Sequence, residues 1–151
     1  MNKEILKEQI KRHEGEVLEV YADSLGYLTL GVGHLIKDGD AEQGKPAGTP
    51  VSQSTVDAYY ESDFDKHVDE TIHVFESKGG KDFYSLPEAI QHVLVNMTFN
   101  LGGSRFGKFN NMWKAVVSEN WEGMAVEMED SRWFKQVGRR SLELQEQVRS
   151  V

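Results

Sequence analysis

Residues 14–34, EGEVLEVYADSLGYLTLGVGH, are the part of this chain that the remainder is arranged to support. The stretch opens on Glu14-Gly15 and runs into an apolar segment of Val17, Leu18, Val20 and Tyr21. It turns at Asp23-Ser24-Leu25-Gly26 and returns through Tyr27-Leu28-Thr29-Leu30-Gly31-Val32-Gly33-His34. Two apolar runs around a turn that holds Asp and Gly predict a β-hairpin, with Asp23 at its tip and Thr29 in the return strand. Strand alternation puts Tyr27, Thr29, Gly31 and Gly33 on one face and Leu28, Leu30, Val32 and His34 on the other. The glycines beside Thr29 leave room for a ligand or another backbone. A dinucleotide loop is excluded, because Gly31-Val32-Gly33 lacks the third glycine and opens no helix.

On the N-terminal side, residues Lys3–Glu14 read as a helix. Leu6, Ile10 and Glu14 fall at i, i+4 and i+8, so Glu14 shares the apolar face, and Gly15 stands where a helix-ending glycine belongs. A carboxylate that ends an apolar stripe is partly desolvated, which suits a general acid working near neutral pH. Each residue also has an ordinary explanation: Glu14 as a solvated helix end, Asp23 as turn chemistry, Thr29 as a β-branched strand former. Their combination is less ordinary. Two carboxylates beside a wall of short strands is an arrangement that glycoside hydrolysis can use.

The length of 151 residues fits one domain with a core of its own. There is no cysteine, hence no disulfide frame and no thiolate metal site, as expected of folding in a reducing compartment. The acidic balance, 25 Asp and Glu against 17 Lys and Arg for a net charge of −8, argues against nucleic acid as a partner and against simple attraction to an anionic membrane. Solubility is the plain reading of that charge. The charged N-terminus, MNKEILKEQIKRHEGE, lacks the apolar centre of a secretory signal, and no apolar run approaches the ~20 residues of a membrane span. The expected site of synthesis is a host cytoplasm.

The residues Glu14-Gly15, Tyr21-Ala22-Asp23-Ser24-Leu25-Gly26 and Thr29-Leu30-Gly31-Val32-Gly33-His34, at these spacings, resemble the phage-type (T4-like) lysozymes, a muramidase family. The resemblance runs in nearly continuous register from Glu14 to Arg140, with different lengths in the 38–50 and 76–84 loops and a shorter C-terminus. It implies that Glu14, Asp23 and Thr29 are catalytic and that peptidoglycan is the substrate, bound in a cleft between two lobes. It implies substrate contacts at Leu35, Phe99 and Asn100. It also implies a His34–Asp63 ion pair joining helix to sheet, and a cation beside Glu14 from Arg139 rather than Arg140. No metal or organic cofactor is implied. The acidic charge departs from the strongly basic character of the best-known member, which bears on affinity for an anionic wall.

The remaining segments agree with that reading. Residues 38–50, rich in Gly, Pro and Asp, read as a solvated surface loop, and their Asp-Gly-Asp lacks EF-hand spacing. Ser52 reads as the N-cap of a helix running to residue 76, with an apolar stripe of Val56, Tyr59, Tyr60, Phe64, Val68, Ile72 and Phe75. That helix also carries Asp63, His67, Glu70 and His73. A metal site there is conceivable, and a charged solvated face is the preferred reading. Ser85-Leu86-Pro87-Glu88 reads as a capping box before the apolar helix Glu88–Leu101, whose polar exceptions are Asn96 and Asn100. Residues 102–108 read as a turn, and shorter helices are predicted over 110–118, 120–129 and 139–151. Trp121 and Trp133 read as core.

The fold expected is α+β and two-lobed: an N-terminal lobe over 14–51 with a small antiparallel sheet, a bridging helix over 52–76, and a helical lobe over 85–151 joined by the N-terminal helix. A monomer is expected. A role in cell release would call for a pore-forming holin as partner. Two other classes compete, namely a catalytically idle wall-binding module and a metal-dependent enzyme built on His67 and His73.

Overall fold

The computed structural model describes residues 1–151. Helix α1 spans Lys3–Glu14, and its apolar stripe buries Leu6 and Ile10 completely. Gly15 ends it at φ 78°, a left-handed conformation that glycine adopts without strain. Strands β1 (Val17–Ala22), β2 (Leu28–Gly31) and β3 (His34–Leu35) follow, then helix α2 (Gln53–Ser77). After a 3-10 turn at Phe83–Ser85 come α3 (Glu88–Leu101), α4 (Gly103–Phe106), α5 (Asn110–Val117), α6 (Trp121–Glu129), α7 (Arg132–Val137) and α8 (Arg139–Arg149). The class is α+β, with the lysozyme-like order of a small sheet followed by helices. No helix is long and apolar enough to cross a membrane.

The chain divides into two compact units. One is Lys7–Lys66, and the other joins Met1–Leu6 to His67–Val151. The boundaries fall inside α1 and α2, so most of the N-terminal helix goes with the sheet, where the sequence reading had assigned it to the helical lobe.

Within Lys7–Lys66 the sheet has the order β1-β2-β3 and both pairings are antiparallel. The register of β1 against β2 shifts between Val17 and Tyr21, a bulge that leaves Tyr21 opposite Thr29. The expected single return strand through His34 is corrected. It ends at Gly31, the chain turns at Val32-Gly33, and His34-Leu35 comes back as β3. Gly31 and Gly33 sit at φ 59° and 63°, left-handed values that fold a strand back on itself. Gly31 is also required by packing, since a Cβ there would lie 2.9 Å from Val56 Cγ1 of α2. Val20, Leu30, Val32, Val56 and Phe64 form the core here, each worth about 1.5–3 kcal/mol of burial. The loop over 36–50 ends by pairing with the free edge of β1, through Val20 N–H to the Thr49 carbonyl (2.9 Å) and Val51 N–H to the Leu18 carbonyl (3.0 Å).

In the other unit α3 is the central element, buried from Ile90 to Phe99. Several polar groups of this unit bond in place. Thr71 Oγ1 of α2 donates to Thr98 Oγ1 (2.7 Å), and Gln91 Nε2 donates to the Leu86 carbonyl (2.7 Å). Trp113 of α5 reaches the Phe106 carbonyl (2.9 Å), and Gln145 of α8 reaches that of Ala125 in α6 (3.0 Å). The capping box is corrected. Ser85 Oγ turns back into the 3-10 turn to bond the Asp82 carbonyl, and Pro87 stands at the N-cap of α3 with no side-chain cap. Residues 102–108, read as a turn, hold the single helical turn α4, and α7 was not anticipated. Ser52 caps α2 as expected, accepting the Thr55 N–H at 3.2 Å.

Candidate active site

Asp23 closes the β1–β2 hairpin. Its Oδ1 accepts the N–H groups of Leu25 (2.9 Å) and Tyr27 (2.8 Å), while its own N–H donates to the Tyr27 carbonyl (2.8 Å). Turn chemistry and a fixed carboxylate are here the same fact: the bonds that make the turn hold one oxygen, and Oδ2 lies outside them. Thr29 is buried on β2, and its hydroxyl donates to that same Tyr27 carbonyl at 3.1 Å. One peptide group therefore ties Asp23 to Thr29.

The pairing defines a row across the sheet. Tyr21 lies opposite Thr29, and Thr29 lies opposite Leu35, so the three side chains share one face. Sequence alternation had given Thr29 the neighbours Tyr27, Gly31 and Gly33. Because β2 begins only at Leu28 and bends at Gly31, the cross-strand row replaces them. Leu35 stands 51% exposed at one end of that row.

Glu14, half-buried at the last residue of α1, comes to this sheet at the β2–β3 turn. A Cβ at Gly33 would lie 2.6 Å from Glu14 Oε1, so the missing side chain is what admits the carboxylate. Tyr21 of β1 feels both carboxylates. Burial first, and then the negative charges of Glu14 and Asp23, push its phenol above the ordinary value. Both carboxylates therefore act on one half-buried tyrosine that the sequence reading left in the strand as an apolar residue. The available signal was its position two residues before Asp23 on a strand.

A second cluster lies beside the first. His34 Nδ1 is 2.7 Å from Asp63 Oδ2, the helix-to-sheet pair implied by the resemblance, and Nε2 is 2.9 Å from Asp40 Oδ2. Both ring nitrogens face carboxylate oxygens, an arrangement that favours the doubly protonated, charged ring. Burial works against that charge, but the bonds to Asp63 and Asp40 outweigh it, and His34 titrates above its ordinary value. For Asp40, burial opposes ionisation, and the bonds from His34 and the Lys37 N–H win, so its carboxyl titrates below the ordinary value. Tyr59 stacks on His34 with centroids 4.0 Å apart and donates to Glu42 Oε1 at 2.5 Å. The 38–50 loop, read as merely solvated, thus contributes Asp40 and Glu42 as anchors.

The expected residues of the other unit have partners of their own. Phe99 packs against His67, centroids 4.9 Å apart, and Asn100 Oδ1 accepts the Trp133 Nε1–H at 2.7 Å. Asn96 Oδ1 accepts Arg140 Nε–H at 2.9 Å. Of the two arginines, Arg139 was the one expected as the cation beside Glu14. It is exposed, and Arg140 is the one buried beneath α3. The groups considered for a metal are engaged separately. Asp63 meets His34, Glu70 accepts the Gly103 N–H at 2.7 Å with His67 Nδ1 3.3 Å away, and His73 is exposed.

A three-stranded sheet that presents two carboxylates and a buried threonine, carried in a lysozyme-like α+β chain, defines the class. The chain belongs to the phage lysozyme family, whose model matches residues 11–149. It is similar to a probable T4-type lysozyme of Dictyostelium discoideum, 28% identical over 150 residues, covering 90% of this chain and 88% of that one. The pre-baseplate central spike protein of Enterobacteria phage T4 is 30% identical over 149 residues, 87% of this chain but 25% of that protein. A peptidoglycan hydrolase of Pseudomonas phage phiKMV is 25% identical over 130 residues, 86% of this chain and 13% of its own length.

Proposed function

We propose that this chain is a glycoside hydrolase of the bacterial cell wall that cleaves the β-1,4 bond between N-acetylmuramic acid and N-acetylglucosamine. Its family, and the lysozyme and peptidoglycan hydrolase among its relatives, support wall hydrolysis. The observation that carries the finer reading is the convergence of Glu14, Asp23 and Thr29 on one small sheet, with Gly33 leaving space for the Glu14 carboxylate.

Glu14 protonates the glycosidic oxygen as the bond to the leaving sugar breaks. Asp23, with Oδ1 held by two N–H groups, stabilises the developing oxocarbenium through Oδ2 and directs water to the anomeric carbon. Thr29 helps to place that water. Leu35, exposed on the row with Thr29, contacts the sugar. Asn100 offers its amide N–H groups, its oxygen being taken by Trp133. Phe99 contributes a small apolar edge, and His34 with Asp63 keeps β3 in place. The guanidinium that supports the helical side is assigned to Arg140.

The test is clearing of purified sacculi stripped of outer membrane, with release of reducing sugar, by the chain and by Glu14→Gln, each with and without chelator. Clearing by the unmodified chain alone, indifferent to chelator, is the expected result. Binding without clearing by both would make it a wall-recognition module, and loss with chelator would make it a metal enzyme.

A further inference from the structure

Two aromatic side chains stand mainly in water, Tyr27 at 58% exposure and Tyr84 at 54%. Tyr84 lies in the helical unit and meets Phe83 edge-on, centroids 5.6 Å apart. Tyr27 stands at the mouth of the β1–β2 hairpin, and its backbone makes three bonds there. Its N–H donates to Asp23 Oδ1 (2.8 Å), and its carbonyl accepts both the Asp23 N–H (2.8 Å) and the Thr29 hydroxyl (3.1 Å). A lone exposed tyrosine needs no explanation. The register gives this one a place. Tyr21 lies opposite Thr29 and Ala22 opposite Leu28, and the bond from the Asp23 N–H to the Tyr27 carbonyl adds the next rung. Residues opposite one another on a rung share a face, with Cβ atoms about 5 Å apart. The side chain of Tyr27 therefore leaves the turn beside that of Asp23.

We propose that Tyr27 is a sugar-binding residue, its exposed ring the platform for the pyranose next to the bond that is cut. A pyranose has a polar rim of hydroxyl and amide groups and broad faces of C–H groups. The face of a phenol ring matches such a surface and covers apolar area that is otherwise wet, while its hydroxyl stays in water. In the proposed reaction Asp23 acts at the anomeric carbon, so the ring beside it meets the sugar that carries that carbon. Leu35, 51% exposed on the row with Thr29, is a second uncharged contact on this sheet. Charge makes uncharged contacts the more needed: a chain of net charge −8 has no general attraction for an anionic wall. The platform is also ordered in advance, because three bonds hold its backbone and only two side-chain torsions remain to be fixed.

This role rests on the proposed hydrolysis, so the test has one readout with turnover and one without. All three bonds use the backbone of Tyr27, so Tyr27→Ala removes the ring and leaves the turn. On peptide-free glycan of alternating N-acetylglucosamine and N-acetylmuramic acid, KM should rise about 10-fold with kcat little changed, and Tyr27→Phe should restore it. The Kd of the same glycan for the Glu14→Gln chain, read by calorimetry, should rise by a similar factor when Tyr27→Ala is added. Unchanged KM and Kd overturn the platform, as does a fall in kcat alone or a failure of Tyr27→Phe to restore binding. An equal loss in Tyr84→Ala, or a loss accompanied by faster amide exchange at Leu25, overturns it as well. If the unmodified chain cleaves no glycan, the hydrolase reading fails, while the Kd comparison still decides whether Tyr27 holds sugar.

Discussion

Two places within Lys7–Lys66 set an aromatic titratable ring against a pair of carboxylates, and they use the same parts to opposite ends. At His34 both ring nitrogens are bonded, to Asp63 and Asp40, and Tyr59 covers the ring face. Charge is matched by charge, and the cluster fastens a loop, a strand and a helix. At Tyr21 the ring is a phenol, which burial and the charges of Glu14 and Asp23 push above its ordinary value. Carboxylates neutralised by an imidazolium hold structure. Glu14 and Asp23 are the pair to which the proposed hydrolysis assigns a chemical task.

The comparison breaks if the two pairs respond alike to loss of charge. The largest effect is expected at Glu14→Gln, which removes the proton donor and keeps the shape. Reducing-sugar release should fall by about 10²–10⁴-fold with melting temperature unchanged or raised. Asp23→Asn keeps an oxygen that can accept the Leu25 and Tyr27 N–H groups, so the hairpin should persist while the rate falls by roughly 10²-fold. A variant that loses the hairpin, read from amide exchange of Tyr27, would mean that the carboxylate serves the turn first.

The other pair should give the reverse pattern. Asp63→Asn is expected to leave the rate within a few-fold and to cost roughly 1.5–3 kcal/mol of stability, as for a hydrogen bond to a charged group. His34 is raised above its ordinary 6.5, so its contribution is complete below pH 6.5 and is lost as pH rises through the folded value. Asp40 is lowered below 3.8, so its contribution is complete above pH 3.8 and is lost as pH falls through the folded value. The deficit of Asp63→Asn should therefore be greatest between those limits and shrink at higher pH. Thermal melts across pH 4–9 would show it, and a deficit that grows with pH would refute the imidazolium.

Part of this was legible without coordinates. The helix ending at Glu14, the hairpin tip at Asp23 and the long helix capped by Ser52 each follow from local rules of period, turn and cap. The β2–β3 turn was not, because Gly31-Val32-Gly33-His34 continues the strand alternation while two left-handed glycines end it. Tyr21 was missed because a tyrosine in a strand is satisfied by burial alone, and only the bulge in β1 sets it against Thr29. Asp40 and Glu42 were missed because their partners lie in other elements, and a loop composition says nothing about what its side chains reach. Ser85 shows the limit of motif reading: the spacing was that of a capping box, but a nearer carbonyl took the hydroxyl.

The smallest effect sharpens the comparison most. Tyr59→Phe removes the bond to Glu42 and keeps the ring stacked on His34. Burial, the bond to Glu42 and the charges of Asp40 and Glu42 push the Tyr59 phenol up to about 12, so it is neutral throughout the range in which His34 titrates. The loss, about 0.5–1.5 kcal/mol, should accordingly be flat across that range, unlike that of Asp63→Asn. Melts of both variants over one pH series would separate the two behaviours. A flat loss assigns the hydroxyl to anchoring the loop through Glu42. A loss that follows His34 would place Tyr59 inside the charge cluster, and the neutral ring at Tyr21 would then no longer be what distinguishes the two pairs.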